Sequence, residues 1–197
     1  MVENVDALVK RALELKQQGM SEHEIGRELH VSENTVVWLI TRRVKGEKPP
    51  IDVKIGWRSM GVSATRVGYL AGIMADIITE EAAIRKLEPD TVVGVAINGI
   101  PIATMISDEL GLDLAIYRPI VSGEAGTISS NFANVKGKQV IIVDDVTGTG
   151  ETMKAAMRDM RSSGAKPVLA LVIVNKTDNI EIDGVPLRSL IRARPIS

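Results

Sequence analysis

The chain has 197 residues, a formal net charge of −1 and no cysteine. With 45% hydrophobic and 25% charged residues, it has the composition of a globular protein with room for one ordinary domain and a small one. The missing cysteines exclude disulfides, a thiol nucleophile and a thiolate metal site, and two histidines make a zinc site unexpected. No apolar run reaches the length of a membrane span and no signal-peptide pattern is present, so we expect a soluble, cytoplasmic protein without a membrane partner.

The N-terminal residues have the pattern of short helices. Apolar side chains recur at helical spacing over residues 5–15, and Gly19 is expected to end this first helix. Ser21 is then a candidate N-cap for a second helix, and Glu24 completes a capping-box pattern.

A third helix is expected to begin at Ser32 and to run to about Arg43, with Thr35 where a capping box would have Glu. Gly26 is small where the second and third helices must approach each other. His30 occupies a turn position that often holds glycine, and histidine tolerates the left-handed conformation better than β-branched residues do. Two helices joined by such a tight turn fit a helix-turn-helix.

In a helix-turn-helix, the start of the second helix of the motif enters the major groove of DNA. Its outward residues would be Ser32, Glu33, Asn34, Val37, Trp38 and Thr41, followed by Arg42 and Arg43. Asn34 suits an adenine edge, Ser32 suits a phosphate or a base, and the basic residues that follow suit phosphates. The alternative is a helical packing or dimerisation unit, in which Trp38 belongs to an interface or core.

The segment 45–50 contains a glycine and two prolines among charges and cannot continue a helix. We therefore predict a small all-α domain over residues 1–48 and a second domain over residues 49–197. In the second domain, the pattern predicts helices at 62–86 (broken near Gly72), 100–110 and 151–163. It predicts strands at 91–97, 114–117, 140–143 and 168–174, and a long loop at 118–138. Alternating strands and helices indicate an α/β fold, a parallel sheet with helices on both faces.

The most informative segment is 140–152. Four apolar residues predict a strand, and Asp144 and Asp145 follow where that strand is expected to end. Carboxylates at this edge of a parallel sheet suit a ribose diol or Mg²⁺ held through water. The Thr/Gly loop that follows, at a helix N-terminus, suits a phosphate. These residues therefore favour a phosphorylated ribose, and the alternative is an ordinary turn with a capping Asp.

The same segment resembles the phosphoribosyl diphosphate (PRPP) signature of type I phosphoribosyltransferases, and the resemblance covers about residues 50–197. It implies that Asp144 and Asp145 meet the ribose, with Mg²⁺ held near them mainly by ligand and water. It implies that the phosphate loop consists of Thr147, Gly148, Thr149, Gly150, Glu151 and Thr152. Many of these enzymes have Asp or Thr where this chain has Gly148, so an acid–base role of that side chain is absent.

Two further segments resemble this family. Residues 96–101, which follow a predicted strand, resemble its diphosphate-binding turn and add Asn98 and Gly99 to the implied ligand site. Residues 183–191 resemble the tail of orotate phosphoribosyltransferases that helps to close the base pocket, although a plain surface strand fits equally well.

The cations of an orotate-type catalytic loop are mostly missing. Such loops stabilise the leaving diphosphate with positive charge. Here Arg118 matches the family, the expected Lys is Pro119, and no Lys or His occurs from Leu87 to Val135. If the chain were an active enzyme, Arg118, Asp144 and Asp145 would be its candidate catalytic residues.

A helix-turn-helix followed by a phosphoribosyltransferase-like domain resembles the archaeal regulators of the GfcR type. The resemblance implies a dimeric, DNA-binding transcriptional regulator that senses PRPP or a nucleotide. Two alternatives stay open, namely an orotate or other base phosphoribosyltransferase that uses PRPP and Mg²⁺, and a PRPP-binding protein whose N-terminus makes protein contacts only.

Overall fold

The computed structural model describes residues 5–41, 50–120 and 125–194. The chain divides into two compact units, one up to Gly56 together with the residues from Arg194, and one of Trp57–Ala193. The predicted boundary between residues 48 and 49 falls on residues outside the described ranges, so that division stays a prediction. In the part of the chain that the structure describes, no helix is both long enough and apolar enough to cross a membrane.

The described residues of the first unit form three helices, as predicted: α1 (Val5–Gln17), α2 (Glu22–Leu29) and α3 (Glu33–Thr41). Gly19 has a φ of 89° just beyond α1. Both hydrogen bonds of the capping box between Ser21 and Glu24 are present. The turn into α3 is made by His30, which adopts the left-handed conformation with a φ of 55°. The apolar core of this unit consists of Ala12, Leu15, Ile25, Leu29, Val31, Val36 and Leu39.

Close packing in the first unit depends on Gly26. A Cβ atom at this position would lie 3.0 Å from the carbonyl oxygen of Val31 and 3.7 Å from a methyl group of Val36. The small residue therefore lies where α2 and the start of α3 approach each other, as the sequence predicted.

The second unit is a seven-stranded sheet with helices. Its elements are α4 (Arg58–Gly61), α5 (Ala64–Arg85), β1 (Thr91–Val95), α6 (Gly99–Leu110), β2 (Asp113–Arg118), β3 (Thr127–Ile128), β4 (Gln139–Thr147), α7 (Glu151–Ser162), β5 (Lys166–Asn175), β6 (Glu181–Ile182) and β7 (Val185–Arg192). The strand order is β3-β2-β1-β4-β5-β7-β6. Strands β2, β1, β4, β5 and β7 are parallel, and the short β3 and β6 pair antiparallel with β2 and β7. This confirms the predicted α/β class with a mostly parallel sheet.

Helices cover both faces of the sheet, as predicted. Val93 and Val95 share a core with Met153 and Met157 of α7. A Cβ atom on Gly94, which points the opposite way because side chains alternate along a strand, would lie 2.9 Å from Cβ of Ala103 on α6. Strand β5, which has a parallel neighbour on each side, is buried from its second residue onward, as expected when both faces of a parallel sheet are covered.

The predicted helix over residues 62–86 is wrong at its start and at its break. The structure has a one-turn helix, α4, and then α5, which begins at Ala64 after an extended Ser63 with a φ of −130°. α5 continues through Gly72 without interruption. A single glycine in a long helix lowers helix propensity but need not end it, because packing of the rest of the helix holds it together.

Two of the loop and strand predictions also need correction. The predicted loop over residues 118–138 contains β3, which pairs with the end of β2 through Tyr117 and Arg118. The strand predicted to end at Val143 continues to Thr147, because β5 offers a partner along the whole of this length. Asp144 and Asp145 are therefore strand residues. A prediction from apolar residues ends the strand at Val143, because the two buried residues that continue it are carboxylates.

The C-terminal segment joins the sheet. β7 pairs parallel with β5, from Leu187 opposite Ala170 to Arg192 opposite Asn175. Its Arg188 binds Glu81 of α5, which is 3% exposed and also accepts a hydrogen bond of 2.6 Å from Arg85 Nε. Burial by itself raises the pKa of Glu81, but hydrogen bonds and positive charge from Arg85 and Arg188 lower it below the usual 4.5.

We predict that Glu81→Gln lowers the free energy of unfolding at pH 7 by about 1.5–3 kcal/mol, the usual size for hydrogen bonds to a charged group. Because the pKa of Glu81 is lower in the folded state, its stabilisation is present above about pH 4.5 and is lost as the pH falls further. Urea unfolding at pH 7 and at pH 3.5 measures the difference, which shrinks at the lower pH. Glu80→Gln, on the exposed neighbour, is the matched control; an equal loss there contradicts the prediction.

Candidate functional site

The acidic pair lies at the carboxyl end of β4, in the middle of the sheet. Asp144 is 3% exposed and Asp145 is 4% exposed. Oδ1 of Asp144 accepts a hydrogen bond of 2.9 Å from the backbone N–H of Asp145. Because buried carboxylates require hydrogen-bond donors, the groups that donate to this pair form the candidate site.

Asp145 brings together two residues from distant parts of the chain. Its Oδ2 accepts a hydrogen bond of 3.0 Å from Nδ2 of Asn98 and one of 2.8 Å from Nε1 of Trp57. The sequence predicted Asn98 as a neighbour of the acidic pair in a ligand site, and the structure places the two together. It missed Trp57, for which the one available signal was a lone tryptophan after the charged linker.

Trp57 has a defined place because of Gly61. A Cβ atom on Gly61 would lie 2.8 Å from Cζ3 of the Trp57 indole. The backbone N–H groups of Met60 and Gly61 also donate to the carbonyl oxygen of Trp57. The indole therefore lies against α4, the short helix for which Trp57 is the N-cap residue.

The turn between β1 and α6 lies directly against β4. A Cβ atom on Gly99 would lie 2.4 Å from the carbonyl oxygen of Val143 and 3.1 Å from Cα of Asp144, so only glycine fits there. The peptide bond between Ala96 and Ile97 in this turn is cis. The implied diphosphate turn and the implied ribose carboxylates are thus neighbours in the structure.

The implied phosphate loop follows the acidic pair and leads into α7. Gly150 has a φ of 86°, which favours glycine, and a Cβ atom on Gly148 would meet open space. Thr147 is buried and Thr152 is half-buried. The exposed Glu151 pairs with Lys154 at 2.9 Å. The hydroxyl of Thr149 accepts a long hydrogen bond of 3.4 Å from the N–H of Glu151. A glycine-rich turn at a helix N-terminus has the geometry that binds anions.

Arg118 is exposed at the carboxyl end of β2. Since β2, β1 and β4 are parallel, Arg118 lies on the same edge of the sheet as the acidic pair. The residues around it are held by Asp159 of α7, whose Oδ2 accepts hydrogen bonds of 2.7 Å from the Tyr117 hydroxyl and from the N–H of Gly126. Residues 121–124 of the predicted loop lie outside the described residues.

The donors near the acidic pair suit a metal ion that is carried largely by a ligand. Among the described residues, no group of three or more Asp, Glu or His side chains is placed to hold a metal ion. The carboxylates of Asp144 and Asp145 are hard oxygen donors of the kind Mg²⁺ prefers, and Mg²⁺ commonly binds one or two carboxylates together with phosphate and water. The residues therefore fit the Mg²⁺ arrangement that the sequence implied.

In the first unit, α3 exposes much of its predicted DNA-binding face. Glu33, Asn34, Val37 and Thr41 are exposed, and Val37 is 43% exposed despite being apolar. Trp38 is half-buried and packs partly against the core of the unit. Arg42 and Arg43 lie outside the described residues.

Ser32 has a structural role at the start of α3. Its hydroxyl accepts a hydrogen bond of 3.2 Å from the N–H of Thr35. The carboxylate that a capping box would take from within the helix comes from Asp52, whose Oδ2 accepts hydrogen bonds from the Ser32 N–H at 2.5 Å and from the Thr35 hydroxyl at 2.8 Å. Asp52 lies beyond the linker, and sequence reasoning did not find it.

Comparison with known proteins gives the family. The model of the phosphoribosyl transferase domain matches residues 69–184. The transcriptional regulator GfcR of Thermoplasma acidophilum is 48% identical, over 99% of this chain and 98% of its own length. The chain belongs to the GfcR family of transcriptional regulators.

Similarity to the GfcR family extends over both units. The GfcR regulator of Picrophilus torridus is also 48% identical, over 97% of this chain and 98% of its own length. The match therefore includes the helices α1–α3 as well as the sheet.

Solved structures confirm the fold of the second unit. The orotate phosphoribosyltransferase of Aeropyrum pernix has a TM-score of 0.60 at 24% identity, covering 76% of this chain and 83% of its own. The adenine phosphoribosyltransferase of Thermoanaerobacter pseudethanolicus has a TM-score of 0.58 at 18% identity, covering 88% of this chain and all of its own. This GfcR-family chain thus has a type I phosphoribosyltransferase-like α/β fold.

We predict that Gly99→Ala lowers the free energy of unfolding by about 1–3 kcal/mol, the usual cost of overpacking, because the added methyl group meets backbone atoms of β4. Urea unfolding followed by circular dichroism measures this. Gly72→Ala is the control: it meets no atom within 4 Å and lies inside α5, where alanine is expected to stabilise by about 0.5–1 kcal/mol. Equal effects of the two substitutions would contradict the close approach at Gly99.

Proposed function

We propose that this chain regulates transcription by binding DNA through α3 and by binding PRPP or a nucleotide at the acidic pair of β4. The observation that carries the ligand proposal is the juxtaposition of Asp144 and Asp145 with the Asn98 turn and the glycine-rich loop before α7. A regulator that senses a ligand needs such a site in the same chain as a DNA-binding unit, and the family of the chain supports that combination.

The proposed ligand contacts follow from the chemistry of each group. Ribose hydroxyls would donate to the carboxylates of Asp144 and Asp145, and the 5′-phosphate would accept from backbone N–H groups of residues 147–152. The turn at Asn98 and Gly99, with Arg118 on the same edge of the sheet, would face a diphosphate. Mg²⁺, when bound near the acidic pair through ligand and water, would neutralise part of the diphosphate charge.

The proposed DNA contacts use the exposed face of α3. Asn34 is suited to a base edge, while Glu33, Val37 and Thr41 line the same face. We further propose that the chain acts as a homodimer, because a single helix-turn-helix generally needs a symmetric partner to read a specific operator. We also propose that it works in the cytoplasm of an archaeal cell, as the sources of its relatives suggest.

Phosphoribosyl transfer is the second candidate function, and the acidic pair in this fold favours it. Against it, Arg118 is the one cation between Leu87 and Val135 in the sequence. Incubation with PRPP, orotate and Mg²⁺ separates the two functions, and turnover at ordinary enzyme rates would sink the proposal of a regulator alone.

We predict that Asp144→Asn combined with Asp145→Asn weakens PRPP binding by about 100-fold or more, because hydrogen bonds to charged groups contribute about 1.5–3 kcal/mol each. Calorimetry with PRPP, with and without Mg²⁺, measures this loss, and circular dichroism checks the fold. Asp76→Asn with Asp108→Asn removes the same charge at exposed positions and should bind PRPP as the unaltered chain does. Equal affinities of the two double variants would refute the site.

We predict that the logarithm of the association constant for DNA from the chain's own promoter falls linearly with the logarithm of the salt concentration. This dependence is expected because each contact to a phosphate releases counterions from the DNA. Asn34→Ala should weaken specific binding by about 1–3 kcal/mol if the side chain reads a base edge. Gln17→Ala, at an exposed position of α1, is the control and should bind as the unaltered chain does. An affinity that does not change with salt would refute DNA binding and favour protein contacts instead.

A further inference from the structure

Trp57 donates to one of the two carboxylates that the proposed ligand would use. Its Nε1 lies 2.8 Å from Oδ2 of Asp145, and Nδ2 of Asn98 lies 3.0 Å from that oxygen. A ribose hydroxyl is also a donor, so it would have to share or replace these hydrogen bonds. Trp57 therefore stands in competition with a ribose for Asp145.

Trp57 is also the first residue of the second unit. Its carbonyl oxygen accepts the backbone hydrogen bonds that begin α4, and its indole packs against Gly61. A movement of the indole away from Asp145 would consequently disturb the start of this unit, where the chain arrives from the first unit.

The preceding segment is tied to the DNA-binding helix within the first unit. Asp52 accepts hydrogen bonds from Ser32 and Thr35 at the start of α3. Only residues 53–56 separate Asp52 from Trp57 along the chain. The covalent chain thus joins a group that caps α3 to a group that binds Asp145.

We propose that Trp57 is displaced from Asp145 by the ribose of the ligand, and that its displacement is transmitted through residues 53–56 to Asp52 and the start of α3. The inference rests on the proposed function, since it requires a phosphoribosyl ligand at the acidic pair. The ligand then favours the arrangement in which the indole has left Asp145, and this preference is the coupling between ligand and DNA binding.

The test uses the full-length chain with Trp57→Phe, which keeps an aromatic ring and removes the N–H donor. Because the ribose no longer competes with the indole, PRPP with Mg²⁺ should bind at least about threefold more tightly. In the unaltered chain, PRPP should change DNA affinity by about fivefold or more, the lower end of typical allosteric coupling. In Trp57→Phe, this change should fall to within about twofold. Tyr69→Phe, at an exposed residue of α5, is the aromatic control and should behave as the unaltered chain does.

A second measurement reads Trp57 directly and does not depend on the stability of the Phe variant. The chain has two tryptophans, so Trp38→Phe leaves Trp57 as the sole tryptophan, whose emission can be excited selectively over that of the two tyrosines. Addition of PRPP and Mg²⁺ should shift its emission maximum, because the indole exchanges a carboxylate for another environment. The same addition to the Asp144→Asn, Asp145→Asn chain in this background should give no shift.

The outcomes separate this inference from the proposed function. If the unaltered chain binds PRPP and its DNA affinity responds, while Trp57→Phe responds equally, the role of Trp57 is overturned and the proposed function stands. Weaker PRPP binding by Trp57→Phe also overturns it, since the indole would then support the ligand. If PRPP binds and the emission maximum of Trp57 does not change, the role of Trp57 is likewise overturned. If the unaltered chain binds neither PRPP nor a nucleoside monophosphate, both proposals fail.

Discussion

Two carboxylates buried at the end of a central strand require hydrogen-bond donors, and the arrangement of the second unit follows from that requirement. β4 places Asp144 and Asp145 between β1 and β5, away from water. The turn before α6 supplies Asn98, and it reaches β4 because Gly99 has no side chain. The start of the unit supplies Trp57. Buried carboxylates thus draw hydrogen-bond donors from two distant parts of the chain to one place. The same carboxylates are suited to accept hydrogen bonds from ribose hydroxyls.

The first unit satisfies its polar groups by the same principle. The N-terminus of a helix leaves N–H groups unsatisfied, and the Ser21–Glu24 box meets this need within α2. α3 has Thr35 where a capping box would have Glu, and the carboxylate that accepts from its N-terminus is that of Asp52. Asp52, which follows the linker, is thus hydrogen-bonded to the start of α3, the proposed DNA-binding helix. Ser32 takes part in capping α3 and is also one of the residues predicted to contact DNA.

Binding and catalysis ask different things of this fold. A phosphorylated ribose needs acceptors for hydroxyls and donors for phosphate, and residues 144–152 are suited to both. Loss of a diphosphate needs positive charge that acts in the transition state. Between Leu87 and Val135 the sequence offers Arg118 alone, while the neighbouring Tyr117 is bound to Asp159. For this reason we propose ligand binding ahead of transfer of the ribose.

The sequence by itself determined what depends on neighbours along the chain. The helix end at Gly19, the capping box, the left-handed turn at His30 and the order of strand, acidic pair and Thr/Gly loop are all local patterns. Only the tertiary structure decided which residues meet across long separations: Trp57 and Asp145, Asp52 and Ser32, Arg188 and Glu81, and the extension of β4 along β5. These contacts form because whole helices and strands pack against one another. The spacing of residues within one helix or strand carries no information about which other element it packs against.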